Sequence, residues 1–343
     1  MRGAVMHGPG DVRVEDRDAP QLVEPTDAII RVSAACVCGS DLWPYRGIGV
    51  EDMGGWPIVM GHEYVGIVEE VGSEVTTVTA GQFVVGSFFA SDNTCEICRA
   101  GYQSACVERF PMGALGAQAD LLRVPLADGT LIATPDIPSD DLIPSLVAAS
   151  DVLGTGWFGA VAAEAGPGKT VAVVGDGAVG LLAVLAAKQL GAERIIAMSR
   201  HESRQRLARE FGATDIVEER GDAGVAAIKE LTDGLGAHSV VEAVGTQEST
   251  MQAINSTRPG GHMGFVGVNH GVTIPGMELF FSGIHLHGGP APVRRFLPEL
   301  IRLIWDGEID PGKVFDLTLP LEQAPEGYRA MDERRAIKTL LTL

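Results

Sequence analysis

A glycine-rich turn between a strand-like and a helix-like run is the feature that most constrains this chain. TVAVVG is followed by DGAVG and then LLAVLAAKQLGA, so Gly175, Gly177 and Gly180 fall where a predicted strand passes into a predicted helix. In that context the first glycine allows a tight turn, the second lets the backbone approach a pyrophosphate, and the third lets helix and strand pack closely. The context is needed because an isolated motif has little weight among 44 glycines. We predict a dinucleotide site with helix amides facing the phosphates.

The residues after Lys169 alternate between strand-like and helix-like runs. RIIAMS, SVVEAVG, HMGFVG and GIHLHGG are further strand candidates, with helical stretches between them. Such alternation predicts the α/β class, with a doubly wound parallel sheet covered on both faces, the Rossmann architecture. Before about Ala149, short apolar runs broken by Gly, Pro and Asp indicate an irregular β domain. We expect one domain of residues 153–289 and another of residues 1–152 with 290–343.

The second predicted strand of the cofactor domain ends in Ser199, Arg200 and His201, where an acidic residue would bind the ribose 2′-hydroxyl of NAD. We therefore expect no carboxylate there to repel a phosphate. A hydroxyl and a guanidinium, with Arg204 one helical turn later, suit charge-assisted hydrogen bonds to the 2′-phosphate of NADP. The alternative is that both arginines are solvated residues at a helix start. We predict NADP(H) in preference to NAD(H).

The charge of the chain restricts its partners. The 26 basic and 45 acidic residues give a formal net charge of -19, which repels nucleic-acid phosphates and anionic lipid surfaces. We expect neither nucleic acid nor a membrane as a partner. The start of the chain lacks a basic segment followed by an apolar run, and no stretch has the roughly 18 uninterrupted apolar residues of a membrane span. We expect a cytoplasmic protein.

Several segments offer metal ligands. Three of the five cysteines lie in one short segment, which suits metal binding in a reducing compartment better than disulfides. CVCGSD at residues 36–41, GHE at residues 61–63 and SDVLGTGW around Asp151 add a thiolate, an imidazole and a carboxylate. That set is acceptable for a catalytic zinc with three protein ligands and one open position. No single segment establishes the site.

In this order ahead of the glycine-rich turn, these segments resemble the zinc-containing medium-chain alcohol dehydrogenases over essentially the whole chain. The resemblance implies a GroES-like catalytic domain beside the Rossmann domain. It implies that Cys38 and His62 bind the catalytic zinc, with Asp151 at a third position that is usually a cysteine. Glu63 is in relatives either a fourth ligand of the resting site or a carboxylate behind it, and both alternatives remain open. Cys36 has no counterpart in the family pattern, so we expect a buried bystander.

The resemblance also implies roles in hydride transfer. Zinc acts as a Lewis acid on the alcohol oxygen while hydride passes between carbon and nicotinamide. Ser40 matches the hydroxyl that takes the alcohol proton, and Asp41 matches a carboxylate that orients the site. Many relatives pass the proton on to a histidine where this chain has Trp43. We expect either the cofactor ribose or another group to pass the proton to water.

Further cofactor contacts follow from the same resemblance. Thr155 of GTGW matches a residue at the nicotinamide, and Lys338 of AIKTLLTL matches a basic residue near the pyrophosphate. The complete set assigned to dinucleotide binding is Thr155, Gly175, Gly177, Ala178, Val179, Gly180, Ser199, Arg200, His201, Arg204, Val244, Val266 and Lys338.

The segment SDNTCEICRAGYQSACV resembles the structural zinc lobe of the family. Its four ligand positions are Asp92, Cys95, Cys98 and Cys106, with an aspartate in place of the usual first cysteine. Three thiolates and one carboxylate can bind zinc, although four thiolates are the commoner structural set. The alternative is a lobe that has lost its metal. We expect bound zinc, since the loop has little else to hold its fold.

The substrate is less constrained than the reaction. Trp43, Trp56 and Phe88 align with or near positions lining the substrate cleft in relatives, which favours an apolar or aromatic alcohol, or its aldehyde or ketone. A polyol, a sugar or a biosynthetic reduction of C=N or C=C remains the alternative. A zinc-free quinone or enoyl reductase would lack the ligand set, and a non-catalytic NADP-binding protein would have no use for an open metal position. The family implies a homodimer or homotetramer through the cofactor domains.

Overall fold

The computed structural model describes residues 1–343 apart from the side chain of Asp52. The chain divides into two compact units, Met1–Asp151 with Pro292–Leu343, and Val152–Ala291. We call the first the β-rich unit and the second the Rossmann unit. Their limits differ by one or two residues from the domain limits expected from the sequence.

The strands and helices are numbered in chain order through both units. The strands are β1 (Arg2–Gly8), β2 (Asp11–Asp16), β3 (Ala28–Val37), β4 (Ile58–Val59), β5 (Tyr64–Val71), β6 (Phe83–Gly86), β7 (Phe89–Ala90), β8 (Phe110–Pro111), β9 (Leu121–Val124), β10 (Leu131–Ala133), β11 (Thr170–Val174), β12 (Arg194–Met198), β13 (Asp215–Val217), β14 (Ala237–Glu242), β15 (Thr257–Phe265), β16 (His285–Gly288), β17 (Leu317–Pro320) and β18 (Thr339–Thr342). The helices are α1 (Leu42–Tyr45), α2 (Glu96–Arg99), α3 (Ala127–Thr130), α4 (Ile143–Ala149), α5 (Val152–Ala162), α6 (Ala178–Gln189), α7 (Glu202–Phe211), α8 (Gly221–Glu230), α9 (Gln247–Ser256), α10 (Gly276–Ser282), α11 (Val293–Trp305) and α12 (Ala324–Asp332).

The largest sheet of the β-rich unit brings three chain segments to one edge. Its strand order is β10-β6-β5-β3-β18-β17, and β9 also pairs with β3. Strand β3 is antiparallel to β5, with Ala35 opposite Tyr64, and antiparallel to β18, with Val37 opposite Thr339. Because antiparallel neighbours run in opposite directions, the end of β3 lies beside the starts of β5 and β18. The residues after β3 and before the other two strands therefore meet.

Apolar helices complete the two units. Helix α4 lies at the end of the segment that we expected to be β-rich, and it departs from that expectation. Its last five residues are all buried, and Pro144 is favourable in its first turn. Helix α5 is buried along nearly its whole length. Among the described residues no single helix is long and apolar enough to cross a membrane, and the interrupted pair of α4 and α5 meets such a test by length and composition only.

The Rossmann unit contains a parallel sheet with strand order β13-β12-β11-β14-β15-β16. Numbered from β11, this is the 3-2-1-4-5-6 order of the doubly wound dinucleotide-binding fold. Helix α6 packs on β11 and β12, and α9 packs on β14 and β15. Strands such as Thr170–Val174 and Arg194–Met198 are buried after their first residue, as expected for strands covered on both faces. The predicted α/β fold is confirmed.

Candidate metal and dinucleotide sites

Four ligand-bearing side chains converge at the sheet edge described above. One ligand atom from each of Cys38, His62, Glu63 and Asp151 lies within 4.8 Å of all the others. Asp151 Oδ2 is 3.9 Å from Cys38 Sγ and 3.2 Å from His62 Nε2. Cys36 is buried nearby on β3 but is not part of this group. The structure thus brings together all four residues that the sequence assigned to a catalytic metal.

Two tight turns position the first ligands. After β3, the Asp41 carboxylate accepts the Cys38 amide at 3.0 Å, and the Asp41 amide donates back to the Cys38 carbonyl at 3.1 Å. Before β5, Gly61 has a φ of +96°, and a Cβ there would lie 2.5 Å from Gln118 Cγ. Only glycine fits both the backbone conformation and the space. The motifs CGSD and GHE therefore encode turns as well as ligands.

A chain of buried hydrogen bonds supports His62. Its Nδ1 lies 3.4 Å from Asp41 Oδ1. Gln118 donates to Asp41 Oδ2 at 3.5 Å and to the carbonyl of Cys36 at 2.9 Å, and the Tyr328 hydroxyl donates to Gln118 Oε1 at 3.1 Å. Such partners fix the orientation of a ligating imidazole. Sequence reasoning missed Gln118 and Tyr328, because neither lies in a ligand motif.

Lys338 lies elsewhere than we expected. The side chain is fully buried, with Nζ 2.7 Å from Glu63 Oε1 and donating to the Val37 carbonyl at 3.2 Å. We expected a contact with the cofactor pyrophosphate, but in this structure the ammonium has no exposed surface and is held by protein groups behind the ligand cluster. The antiparallel register of β18 on β3 is the cause, because Lys338 directly precedes β18 at this edge.

The charge balance of the cluster fits a bound cation. Burial raises the pKa of the Cys38 thiol, Glu63 raises it further, and Lys338 opposes both. Burial also raises the pKa of Glu63, whose Oε2 is buried without a hydrogen-bond partner while Oε1 is held by the lysine. Buried acidic groups such as these need a positive charge nearby to be stable as anions. A thiolate, an imidazole and carboxylates are a donor set that zinc accepts.

Polar and aromatic groups lie beside the cluster of metal-ligand side chains. Ser40 Oγ is 3.5 Å from His62 Nε2, and the Phe88 ring is 6.2 Å from the His62 ring. Trp43 is half-buried on α1. Trp56 packs against the hydrophobic core that includes Tyr328. Phe88, one of the aromatic residues we associated with the substrate, is therefore in ring contact with a ligand residue.

A second cluster lies around α2. One ligand atom from each of its four members also falls within 4.8 Å of the others: Asp92, Cys95, Cys98 and Cys106. Cys95 Sγ accepts the Cys98 amide at 3.4 Å, and Asp92 Oδ1 accepts the amides of Thr94 and Cys95 at 2.8 and 3.0 Å. Partial burial would raise the pKa of Asp92, but hydrogen bonds from the two amides and from the Cys98 and Cys106 thiols together outweigh it and bring the pKa to about 2. The aspartate is thus an ionised member of a compact four-ligand group.

The glycine-rich turn has the geometry that a bound pyrophosphate requires. Gly175 has a φ of +122°, and a Cβ at Gly180 would lie 2.0 Å from the Gly175 carbonyl oxygen. Nothing lies within 4 Å of the position that a Cβ would take at Gly177. Gly177 precedes α6, whose first residues are Ala178 and Val179, so the free space adjoins unpaired helix amides.

The described structure adds a residue to this site that the sequence argument missed. The carboxylate of Asp176 accepts a hydrogen bond from Ser199 Oγ at 2.7 Å. Arg204 Nη1 lies 3.3 Å from Asp176 Oδ1, and Arg220 Nη2 lies 3.7 Å from Oδ2. Our expectation that no carboxylate stands at the end of β12 was wrong, because the acidic group arrives from the glycine-rich turn. Arg200, the residue after Ser199, is exposed.

The remaining predicted cofactor residues lie within the Rossmann unit. His201 is exposed directly before α7, and Thr155 is buried on α5. Val244 and Val266 follow β14 and β15, and both are partly exposed. The loop at Val244 is held by the buried Glu242, whose Oε1 accepts the amides of Val244 and Gly245 at 2.9 and 2.8 Å.

A chain that combines a Rossmann unit with this turn and a β-rich unit with this ligand cluster has the features of a nucleotide-linked metal oxidoreductase. Residues 24–136 match the alcohol dehydrogenase GroES-like domain, and residues 178–306 match the zinc-binding dehydrogenase domain. The chain belongs to the zinc-dependent medium-chain alcohol dehydrogenase family.

Individual relatives resemble the chain over nearly its full length. It is 39% identical over 334 residues to a probable zinc-binding alcohol dehydrogenase of Mycobacterium tuberculosis, covering 96% of this chain and 84% of that protein. It is 33% identical to zinc-type alcohol dehydrogenase B of Aspergillus flavus, covering 99% and 81%. The solved alcohol dehydrogenase of Thermus sp. ATN1 superposes with a TM-score of 0.88 at 33% identity, covering 100% and 99% of the two chains.

Proposed function

We propose that this protein is an NADP(H)-dependent alcohol dehydrogenase or carbonyl reductase acting on an apolar or aromatic alcohol, or on its aldehyde or ketone. The buried convergence of Cys38, His62 and Asp151 is the observation that carries the proposal. A structural role would not require three ligands of different chemistry together with a hydroxyl, Ser40, beside them.

The ligand residues have distinct tasks in the proposed reaction. A zinc ion held by Cys38, His62 and Asp151 would supply Lewis-acid stabilisation of negative charge on the substrate oxygen. The thiolate and the carboxylate would neutralise the charge of the ion, and Asp41 holds the imidazole in orientation. Glu63 is tethered by Lys338 through one oxygen, so its other oxygen would be available as a further ligand.

Ser40 takes the proton from the alcohol in this proposal. Its hydroxyl lies 3.5 Å from His62 Nε2, at the ligand cluster, and a hydroxyl can both accept and donate. Trp43 occupies the position from which many relatives pass the proton onward, but an indole only donates. The proton therefore leaves Ser40 by a route that does not use residue 43.

The preference for NADP(H) rests on the charge at the ribose end of the dinucleotide site. The guanidinium groups of Arg204 and Arg220 both pair with the carboxylate of Asp176, and the exposed Arg200 directly follows Ser199 in the chain. That excess of positive charge favours a ligand carrying an additional phosphate. An apolar substrate is supported by the Phe88 ring beside His62.

The proposal is tested by following absorbance at 340 nm with NADPH or NADH across aromatic, aliphatic and sugar carbonyls. We expect NADPH oxidation with apolar carbonyls that is lost after zinc chelation and regained with added zinc. Turnover only with sugars, or with imines or activated alkenes, would contradict the substrate class. Turnover that survives complete zinc removal would contradict the reaction class.

The cofactor assignment has its own test. Arg200→Ala is expected to raise the Michaelis constant for NADPH by about tenfold, the size of one lost charge-assisted hydrogen bond, and to leave that for NADH nearly unchanged. Arg206→Ala is the control, because Arg206 lies on α7, a few residues after Arg200, and pairs with the exposed Glu202. Equal effects on both cofactors would refute the 2′-phosphate contact.

A further inference from the structure

The carboxylate of Asp176 lies in a cationic pocket at the end of β12. Ser199 Oγ donates to it at 2.7 Å, and the guanidiniums of Arg204 and Arg220 lie at 3.3 and 3.7 Å from its oxygens. Only 14% of the Asp176 side chain is exposed, and Ser199 is almost fully buried. The pocket is therefore an anion-binding site that is already occupied by the carboxylate of Asp176.

The position of this pocket relates it to the adenine ribose. In doubly wound folds the ribose 2′ position lies at the end of the second strand, where NAD-binding proteins carry a carboxylate and NADP-binding proteins carry cationic groups. Here both kinds of group are present at once. The carboxylate comes from the glycine-rich turn, and the cationic groups come from α7 and the residue before α8.

We propose that Asp176 is a specificity-determining residue that fills the 2′-phosphate subsite as an internal anion. NADP(H) binds when its phosphate replaces the Asp176 carboxylate among Ser199, Arg204 and Arg220. With NAD(H) the carboxylate stays in place and accepts the ribose 2′-hydroxyl. The inference rests on the proposed use of NADP(H) and adds that Asp176 limits the preference for it.

Electrostatics explains why the carboxylate and the phosphate exclude each other. A phosphate and a carboxylate at hydrogen-bond distance from the same donors would repel strongly in a partly buried site. Arg220 is the residue whose role changes most. Its guanidinium is only loosely paired at 3.7 Å, and its Nε is buried without a hydrogen-bond partner. A phosphate with several acceptor oxygens satisfies such donors better than one carboxylate.

The experiment measures dissociation constants of the full-length protein for NADPH, NADH, adenosine 2′,5′-bisphosphate and 5′-AMP by calorimetry. Asp176→Asn keeps an acceptor for Ser199 and removes the charge. We expect this variant to bind NADPH and the bisphosphate about tenfold more tightly, the size of one charge-assisted hydrogen bond. Its affinity for NADH and 5′-AMP is expected to be unchanged or lower. Arg220→Gln is expected to weaken NADPH and the bisphosphate by about the same factor. Arg206→Gln, on the outer side of α7, is the control.

Two results would overturn the inference. One is an NADPH to NADH affinity ratio that Asp176→Asn changes by less than about twofold, or lowers. If that variant does not fold, an Arg220→Gln protein that binds the bisphosphate as tightly as the Arg206→Gln control overturns it instead. The wild-type ratio separately tests the proposed cofactor preference. If the wild type favours NADPH and Asp176→Asn does not change the affinity ratio, only this inference is refuted. If the wild type favours NADH and Asp176→Asn raises the ratio, only the proposed cofactor preference is refuted.

Discussion

His62 is held by a chain of buried hydrogen bonds that begins at Tyr328. The tyrosine hydroxyl, the Gln118 amide and the Asp41 carboxylate connect in series to His62 Nδ1. All four side chains are buried or nearly so. Because a ligating imidazole is fixed by the group on its other nitrogen, residues distant from the metal affect its affinity.

Replacing Tyr328 by phenylalanine is expected to accelerate zinc release. The change leaves Gln118 Oε1 without its buried donor, which loosens the amide that orients Asp41. We expect zinc transfer to a chromophoric chelator to be about threefold to tenfold faster, below the range for direct partners of a ligand. Tyr45→Phe is the control, since Tyr45 packs on Tyr328 with ring centroids 5.6 Å apart. If both variants release zinc at the same rate and differ only in melting temperature, the Tyr328 hydroxyl contributes to stability and not to metal binding.

Replacing Cys38 by serine tests the ligand itself. A neutral hydroxyl is a far poorer zinc ligand than a thiolate, so we expect loss of one zinc per chain and of nearly all turnover. NADPH affinity is expected to stay within about twofold of wild type, because Cys38 belongs to the β-rich unit. Cys36→Ser is the matched control, since Cys36 lies two residues earlier on β3 outside the ligand group. Metal analysis measures the zinc content, and NADPH titration measures the cofactor affinity. Full turnover in Cys38→Ser would refute the assignment of Cys38 as a zinc ligand.

At the scale of elements, the short segments around α2 depend on one another through their ligand cluster. The helix has only four residues, and the buried residues of α2 and of the short turn after it are Cys98, Gln103 and Ser104. Elements this short are not stable on their own. Their conformation is instead maintained by amides that donate to Cys95 Sγ and Asp92 Oδ1 and, as we propose, by zinc.

Asp92 provides the test of this second site. Asp92→Asn keeps an acceptor for the amides of Thr94 and Cys95 but removes the negative charge, so zinc is expected to leave this lobe during mild chelation. Asp92→Cys completes four thiolates and is expected to hold zinc longer than wild type. Zinc per chain and protease cleavage within residues 92–109 are measured. Equal zinc retention in both variants would show that residue 92 is not a ligand.

At the scale of the whole molecule, the exposed apolar side chains of α10 are where we expect a second copy of the chain to bind. Met277, Phe280 and Phe281 on α10 are 67%, 76% and 74% exposed, and β16 pairs with β15 at the end of its sheet. Adjacent aromatic exposure and an open strand edge are both features that proteins usually cover. We propose that a second copy of the chain covers them, since a symmetric pair protects both edges at once.

Phe280→Asp combined with Phe281→Asp is expected to shift the protein toward monomer. Burying four carboxylates in a symmetric contact is strongly unfavourable, so the dimer dissociation constant should rise by at least about a hundredfold. Ile137→Asp is the control, because Ile137 is 61% exposed in the β-rich unit. Sedimentation velocity distinguishes the species. An unchanged oligomer in the double variant would place the contact elsewhere.

The sequence by itself predicted the fold class and the residues that form the ligand cluster. Alternating runs and the glycine spacing reflect local geometry, because a strand, a tight turn and a helix start each depend on neighbouring residues. Cys38, His62 and Asp151 were found for a similar reason, since each lies in a short motif that also forms a turn or a helix start.

Only the tertiary structure decided which groups face those motifs. Lys338 and Glu63 are 275 residues apart, and strand register brings them together. Tyr328 and Gln118 are 210 apart, and the packing of α12 on the sheet brings that pair together. Asp176 was overlooked although it stands inside the glycine-rich motif. A motif predicts the path of the backbone, whereas the direction of a side chain depends on the charges packed around it. Here those charges are the guanidiniums of Arg204 and Arg220, from α7 and the residue before α8.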